Sequence, residues 1–170
     1  MRAAAAVALA LTADLAGAQD EAALVESRML DLGRHGAVHV VPFVEFLGEE
    51  APGERMTGSA RVCGFRIGEG EAARWVPTVG VGDGIQPSCE ELVAFGAVGS
   101  GGEAIGAIYR VRPSGSGTYV APLLLAHDGG AGGWVVDDEA LLRAADAHYE
   151  AHGEDIRTLE ALDEALRSSG

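Results

Sequence analysis

Apolar runs and glycine-rich breaks alternate along residues 92–136. LVAFGAV (92–98) is followed by GSGG, EAIGAIYRVR (103–112) by PSGSG, and TYVAPLLLA (118–126) by HDGGAGG, with WVV closing the series at 134–136. Short runs rich in β-branched and aromatic residues, parted by turn formers, predict consecutive antiparallel strands in a β-meander.

The remaining elements are read outward from that meander. Residues 37–47 are dense in Val and Phe, as in a strand buried on both faces. Residues 59–67 alternate Ala60, Val62 and Gly64 against Arg61, Cys63 and Phe65, the period of a strand. Gly68 to Glu71 turns that strand back into another at 72–79, and 48–58 and 80–87 read as loops. Ser88 and Glu91 have the spacing of a capping box, which predicts one helical turn. Residues 19–32 predict a helix: Asp20 caps it, Ala22, Val25, Met29 and Leu32 share a face, and Gly33 stops it. Asp137 caps a helix at 138–152 that Gly153 ends. A last helix at 158–166 has Ile156, Leu159, Leu162 and Leu166 on one side. The expected fold class is α+β: a mostly antiparallel sheet, a meander of about six or seven strands, with one N-terminal and two C-terminal helices packed on it.

A chain of 170 residues suits one such domain, at 19–170, behind a leader. Residues 1–18 resemble a secretory signal peptide, with Arg2, an apolar core at 3–13, and AGA at 16–18 before Gln19. That apolar run is too short to anchor the chain across a bilayer. No cysteine follows the cleavage site for lipid attachment, and no twin-arginine pair is present. The expected location is periplasmic or secreted, after cleavage near Ala18. Asp14, so close to the apolar core, fits a different reading, in which 3–32 form one alanine-rich helix of a cytosolic protein. Export makes a disulfide between Cys63 and Cys89 the natural use of an even cysteine count. The loop it closes is worth about 3.5 kcal/mol by chain entropy. A reactive cysteine is the competing use, without a C-x-x-C to support it.

Charge narrows the partners. The formal net charge is −14, and all 12 basic residues are arginine. The absence of both lysine and asparagine is what a GC-rich genome would produce. Nucleic acid is excluded as a partner, because phosphate binding needs clustered cations, and anionic membrane surfaces are disfavoured. Without lysine there is no Walker A site, no kinase-type strand lysine and no Schiff base. No G-x-S-x-G or H-E-x-x-H occurs, and GVGDG at 80–84 lacks the third glycine of a dinucleotide fingerprint. GGAGG at 129–133 has Trp134 where a calcium-binding repeat needs aspartate.

Histidines supply the remaining candidate chemistry. His148 and His152 lie four apart on one side of a predicted helix, a workable zinc spacing. They would need a further ligand, with His127 and Asp128 among the candidates. Two boundary histidines near a helix C-terminus, where positive charge is favourable, are the plainer reading. His127 and Asp128 are adjacent on a strand end and point apart, which weakens them as a base and its orienting acid. His35 and His39 share no face and read as structural. The sequence therefore points to an exported, disulfide-containing binding or accessory domain, for a protein or small-molecule ligand and without a cofactor. The alternative is a small zinc-dependent hydrolase built on His148 and His152.

Overall fold

Strand pairing claims the first of the described residues. The computed structural model describes residues 26–47, 60–80, 87–113, 117–129 and 133–169. The leader at 1–18, the first part of the helix expected at 19–32 (residues 19–25) and the loop at 48–58 lie outside those residues. β1 (Arg28–Asp31) runs antiparallel to β2 (Ala37–Leu47), with Met29 opposite His39 and Leu30 opposite Val38. This overturns the N-terminal helix. Leu32 is fully buried and Leu30 packs on the same core, while Met29 is 57 % exposed. Residues two apart face inward together only on a strand; the helical face required Met29 to join Leu32.

β2, β3 (Ala60–Ile67) and β4 (Arg74–Val79) complete a sheet in the order β1-β2-β3-β4. β5 (Ser88–Val98), β6 (Ala104–Arg112), β7 (Tyr119–His127) and β8 (Trp134–Val136) form a second sheet, also in chain order. The single meander of six or seven strands is therefore corrected to two four-stranded antiparallel sheets. The reason is that β5 does not pair with β4 but crosses over to face β3. There Cys63 and Cys89 form a disulfide across a Cα–Cα distance of 5.8 Å, and the Arg61 amide donates to Ser88 Oγ at 3.2 Å. One flat sheet would leave the inner side chains of β2, β3 and β4 wet; two sheets close over them.

The helical turn expected at Ser88–Glu91 is strand for the same reason. Cys89, Leu92 and Phe95 are all buried in the layer between the sheets, at a helical-looking spacing of three. Register shifts between Cys89 and Glu91 and between Leu92 and Ala94 produce that spacing. Each inserts an extra residue on β5, so the inward face recurs every third position.

Phe65 packs against Phe95 and Tyr109 at ring distances of 5.4 and 6.2 Å in the middle of this layer. The Thr78 hydroxyl bridges the Tyr109 hydroxyl at 3.0 Å and the Cys63 carbonyl at 2.9 Å. Burial raises the Tyr109 phenol well above its ordinary value of 10.0, and the Thr78 contact offsets part of that rise. On the outer face of the first sheet, Phe43 meets Trp75 edge-on at 4.9 Å, and Trp75 is 58 % exposed.

The second sheet's other face is covered by α1 (Asp138–His152) and α2 (Leu159–Ser168), the two C-terminal helices the sequence predicts. Asp137 Oδ1 accepts from the Ala140 amide at 3.0 Å, and Gly153 ends α1 in the left-handed conformation. Ile108, Ala144, Ile156, Leu162 and Ala165 form the core beneath the helices. On α1 the buried side is Ala144 and His148, while Leu142 and Tyr149 are exposed. α2 sits close to β6 because Gly106 has no side chain: a Cβ there would come within 3.0 Å of Leu159 and Leu162. No described helix is long and apolar enough to cross a membrane.

Two measurements test this account of the core. Replacing Cys63 and Cys89 together by alanine removes a cross-link 26 residues apart and should lower unfolding stability in urea by about 3.5 kcal/mol. Tyr109 titrates at higher pH folded than unfolded, so its contribution holds below pH 10 and is lost as pH rises through the folded value. Stability should therefore fall on the alkaline side of pH 10, and Tyr109→Phe should flatten that fall while costing about 1 kcal/mol at neutral pH.

Candidate functional site

Five segments far apart in sequence meet around one cleft of about 470 Å³. They are the turn at Gly33–His35, the β5–β6 turn, the end of β7, the first turn of α1 and the last of α2. Val98, Ala104, Leu124, Ala126 and Leu166 supply its apolar lining, and Arg34, His35, Ser100, Glu103, His127 and Asp137 its polar groups. That volume falls within the range of small-molecule sites, and the cleft is open to solvent.

Two imidazole rings form one wall, backed by a buried indole. His127 and Trp134 are cross-strand partners on the β7–β8 hairpin, with their rings edge-to-face at 5.5 Å. His35 reaches over from the first sheet, stacking on His127 at 4.6 Å and 19° and meeting Trp134 edge-on at 5.6 Å. Offset stacking and edge contacts are the favoured geometries for such rings. Trp134 is buried, while both histidines are only partly covered.

Hydrogen bonds and one ion pair fix the rest. His127 Nδ1 accepts the Gly129 amide at 3.1 Å, and His35 Nε2 accepts from Arg34 Nε at 3.4 Å. Arg34 also pairs with Glu103 at 3.1 Å, which ties the first turn to the β5–β6 turn. Both partners are well exposed, so the pair contributes about 0–1 kcal/mol and acts mainly in positioning. Asp163 Oδ1 of α2 accepts the Gly99 amide at 2.9 Å and holds the β5–β6 turn against the helix. Gly33 makes the closest approach at the rim. With φ +58°, it lies where a Cβ would stand 2.5 Å from the Gly101 carbonyl oxygen.

The histidines singled out from sequence are divided by the fold. His127 lines the cleft, and its strand neighbour Asp128 closes the β7–β8 hairpin, accepting from the Gly133 amide at 3.2 Å. The two side chains have separate partners, as their positions on the strand require. His148 and His152 lie on α1 with ring centroids 4.6 Å apart, His148 buried and His152 exposed. Among the described residues, no three His, Cys, Asp or Glu side chains are grouped closely enough to hold a metal ion. For His127 to take zinc through Nε2, its proton would have to move to Nδ1, against the Gly129 amide that already donates there.

Sequence reasoning missed His35, Arg34 and Trp134. Only Trp134 left a signal, since the hairpin that flanks HDGGAGG makes it the cross-strand neighbour of His127. His35 comes from the other sheet, and nothing in its neighbourhood in the chain announces that contact.

The rim is open to a direct test. Gly33→Ala combines a left-handed backbone with a clash against backbone, and should cost about 1–3 kcal/mol in thermal or urea unfolding. It should also shift the ring signals of His35 and His127 in NMR spectra, because the turn carrying His35 must move. Comparison with family models, curated proteins and solved structures finds no match to this chain.

Proposed function

We propose that the protein is an exported, disulfide-linked binding domain that holds a small ligand in the cleft between its sheets and helices. The observation that carries this reading is the cleft itself: stacked His35 and His127 rings beside a lining of apolar and polar side chains, around a space of about 470 Å³. The disulfide is compatible with an oxidising compartment, and the N-terminal pattern at 1–18 supplies a route there.

Binding without turnover is favoured by the state of the two histidines. A general base needs a bare ring nitrogen facing its substrate. His127 Nδ1 accepts from the Gly129 amide, and His35 Nε2 from Arg34, so one nitrogen of each ring has a partner within the chain.

Two experiments test the proposal. The intact mass of protein recovered from its own host should correspond to a chain beginning at Gln19 and lacking two hydrogens; a mass that includes residues 1–18 would remove the export half. A fragment titration followed by methyl NMR should move Val98, Leu124 and Leu166 before other residues. Shifts confined to other surfaces would overturn the binding half. One equivalent of zinc that instead perturbed His148 and His152 would favour the metal-dependent alternative.

A further inference from the structure

The second sheet is covered on both sides, by the first sheet and by the helices. Among the described residues, the first sheet makes its layer contacts through its inner face. Register sets its outward positions in two rows across β2, β3 and β4: Phe43, Gly64 and Pro77 in one, Val41, Arg66 and Trp75 in the next. Gly64 levels the patch. A Cβ there would stand 2.6 Å from the Phe43 ring, so Phe43 lies over β3 and meets Trp75 edge-on at 4.9 Å. Trp75 is 58 % exposed, and Pro77 beside it is exposed too. Arg66 brings the only charge to the two rows, and its guanidinium donates to the Gly70 carbonyl at 3.1 Å. A contiguous apolar face of this kind marks an association surface.

Charge decides what covers it. We infer that the outer face of the first sheet docks on the same face of a second copy of this chain. Residues 137–169, the helical layer, hold ten carboxylates against three arginines, so half of the chain's −14 lies there. The described residues of the first-sheet layer, 26–47 and 60–80, hold five carboxylates and five arginines. A cationic partner is therefore drawn to the helices, and an anionic one finds a single arginine already engaged. Two copies meeting through their helices would set like charges together. Meeting through their first sheets, they keep each acidic layer on the order of 20 Å behind the contact. That exceeds the screening length of about 8 Å at physiological salt. The patch is also self-complementary. A two-fold axis along β3 sets β4 of each copy over β2 of the other, so that Trp75 covers Val41 and Phe43 of the other copy. No residue of the two rows lines the cleft, so this inference stands apart from the ligand reading.

The test is sedimentation equilibrium on the full, disulfide-bonded chain from about 1 to 500 µM, in about 50 and 500 mM NaCl. The mass should rise from one chain to two, and the dissociation constant should tighten about ten-fold in the higher salt as residual repulsion is screened. Trp75→Glu places a carboxylate on both sides of the contact and should leave single chains throughout. Tyr149→Glu adds the same charge at an exposed position of α1 and should leave the association intact. Should Trp75→Glu fold poorly, acrylamide quenching of the native chain gives the same answer: Trp75 is open when dilute and shielded when concentrated. Single chains at the highest concentration in both salts would overturn the inference, whether the face stays bare or another part of the chain covers it. Association that weakens with salt, or that survives Trp75→Glu, would place the contact elsewhere and overturn it as well.

Discussion

The contact between Cys63 and Cys89 is where the two sheets become one protein. Both residues are fully buried, and the sheets they join are each a simple up-and-down succession of neighbours. Neither four-stranded sheet can cover its own inner face. The cross-link fixes β3 against β5, and around it Phe65, Phe95 and Tyr109 fill the space between the layers. Thr78 then satisfies the one phenol placed there. A buried hydroxyl without that partner would be costly, so the polar detail follows from the apolar packing.

The cleft is a by-product of stacking three layers. The second sheet is sandwiched, with the first sheet on one face and the helices on the other. Where its strands end, turns from all three layers converge, and each is pinned by one polar contact: Arg34 to Glu103, Asp163 to the Gly99 amide, Asp137 to the Ala140 amide. Side chains at such a junction belong to segments separated by most of the chain. Their arrangement is therefore set by the core and by the lengths of the strands.

That division explains what was legible in advance. The caps of α1 are local, so Asp137 and Gly153 marked its ends correctly. The runs between 92 and 136 fell where β5 to β8 lie, because glycine-rich turns punctuate them. Errors arose where tertiary pairing outweighed local pattern. Leu32 and Met29 have helical spacing, yet the buried partner of Leu32 is Leu30, through pairing with β2. Cys89, Leu92 and Phe95 have helical spacing because of two bulges, and bulges leave no simple mark in a sequence. The number of sheets was illegible too, since it depends on β5 leaving its chain neighbour β4. In the site, His127 was visible as a candidate and its true companions were not: they reach it from the first sheet and across a hairpin.

The chain has two tryptophans, and the fold gives them opposite surroundings. Trp75 lies against Phe43 on the outside of the first sheet, in contact with water, while Trp134 is enclosed behind two imidazoles at the cleft. An aqueous quencher meets the first and misses the second. The protein thus carries a built-in optical pair: an accessible emitter that can serve as a reference, and a shielded one that should respond to the position of the rings beside it. A displacement of His35 or His127 should therefore change the ratio of the two, without a label.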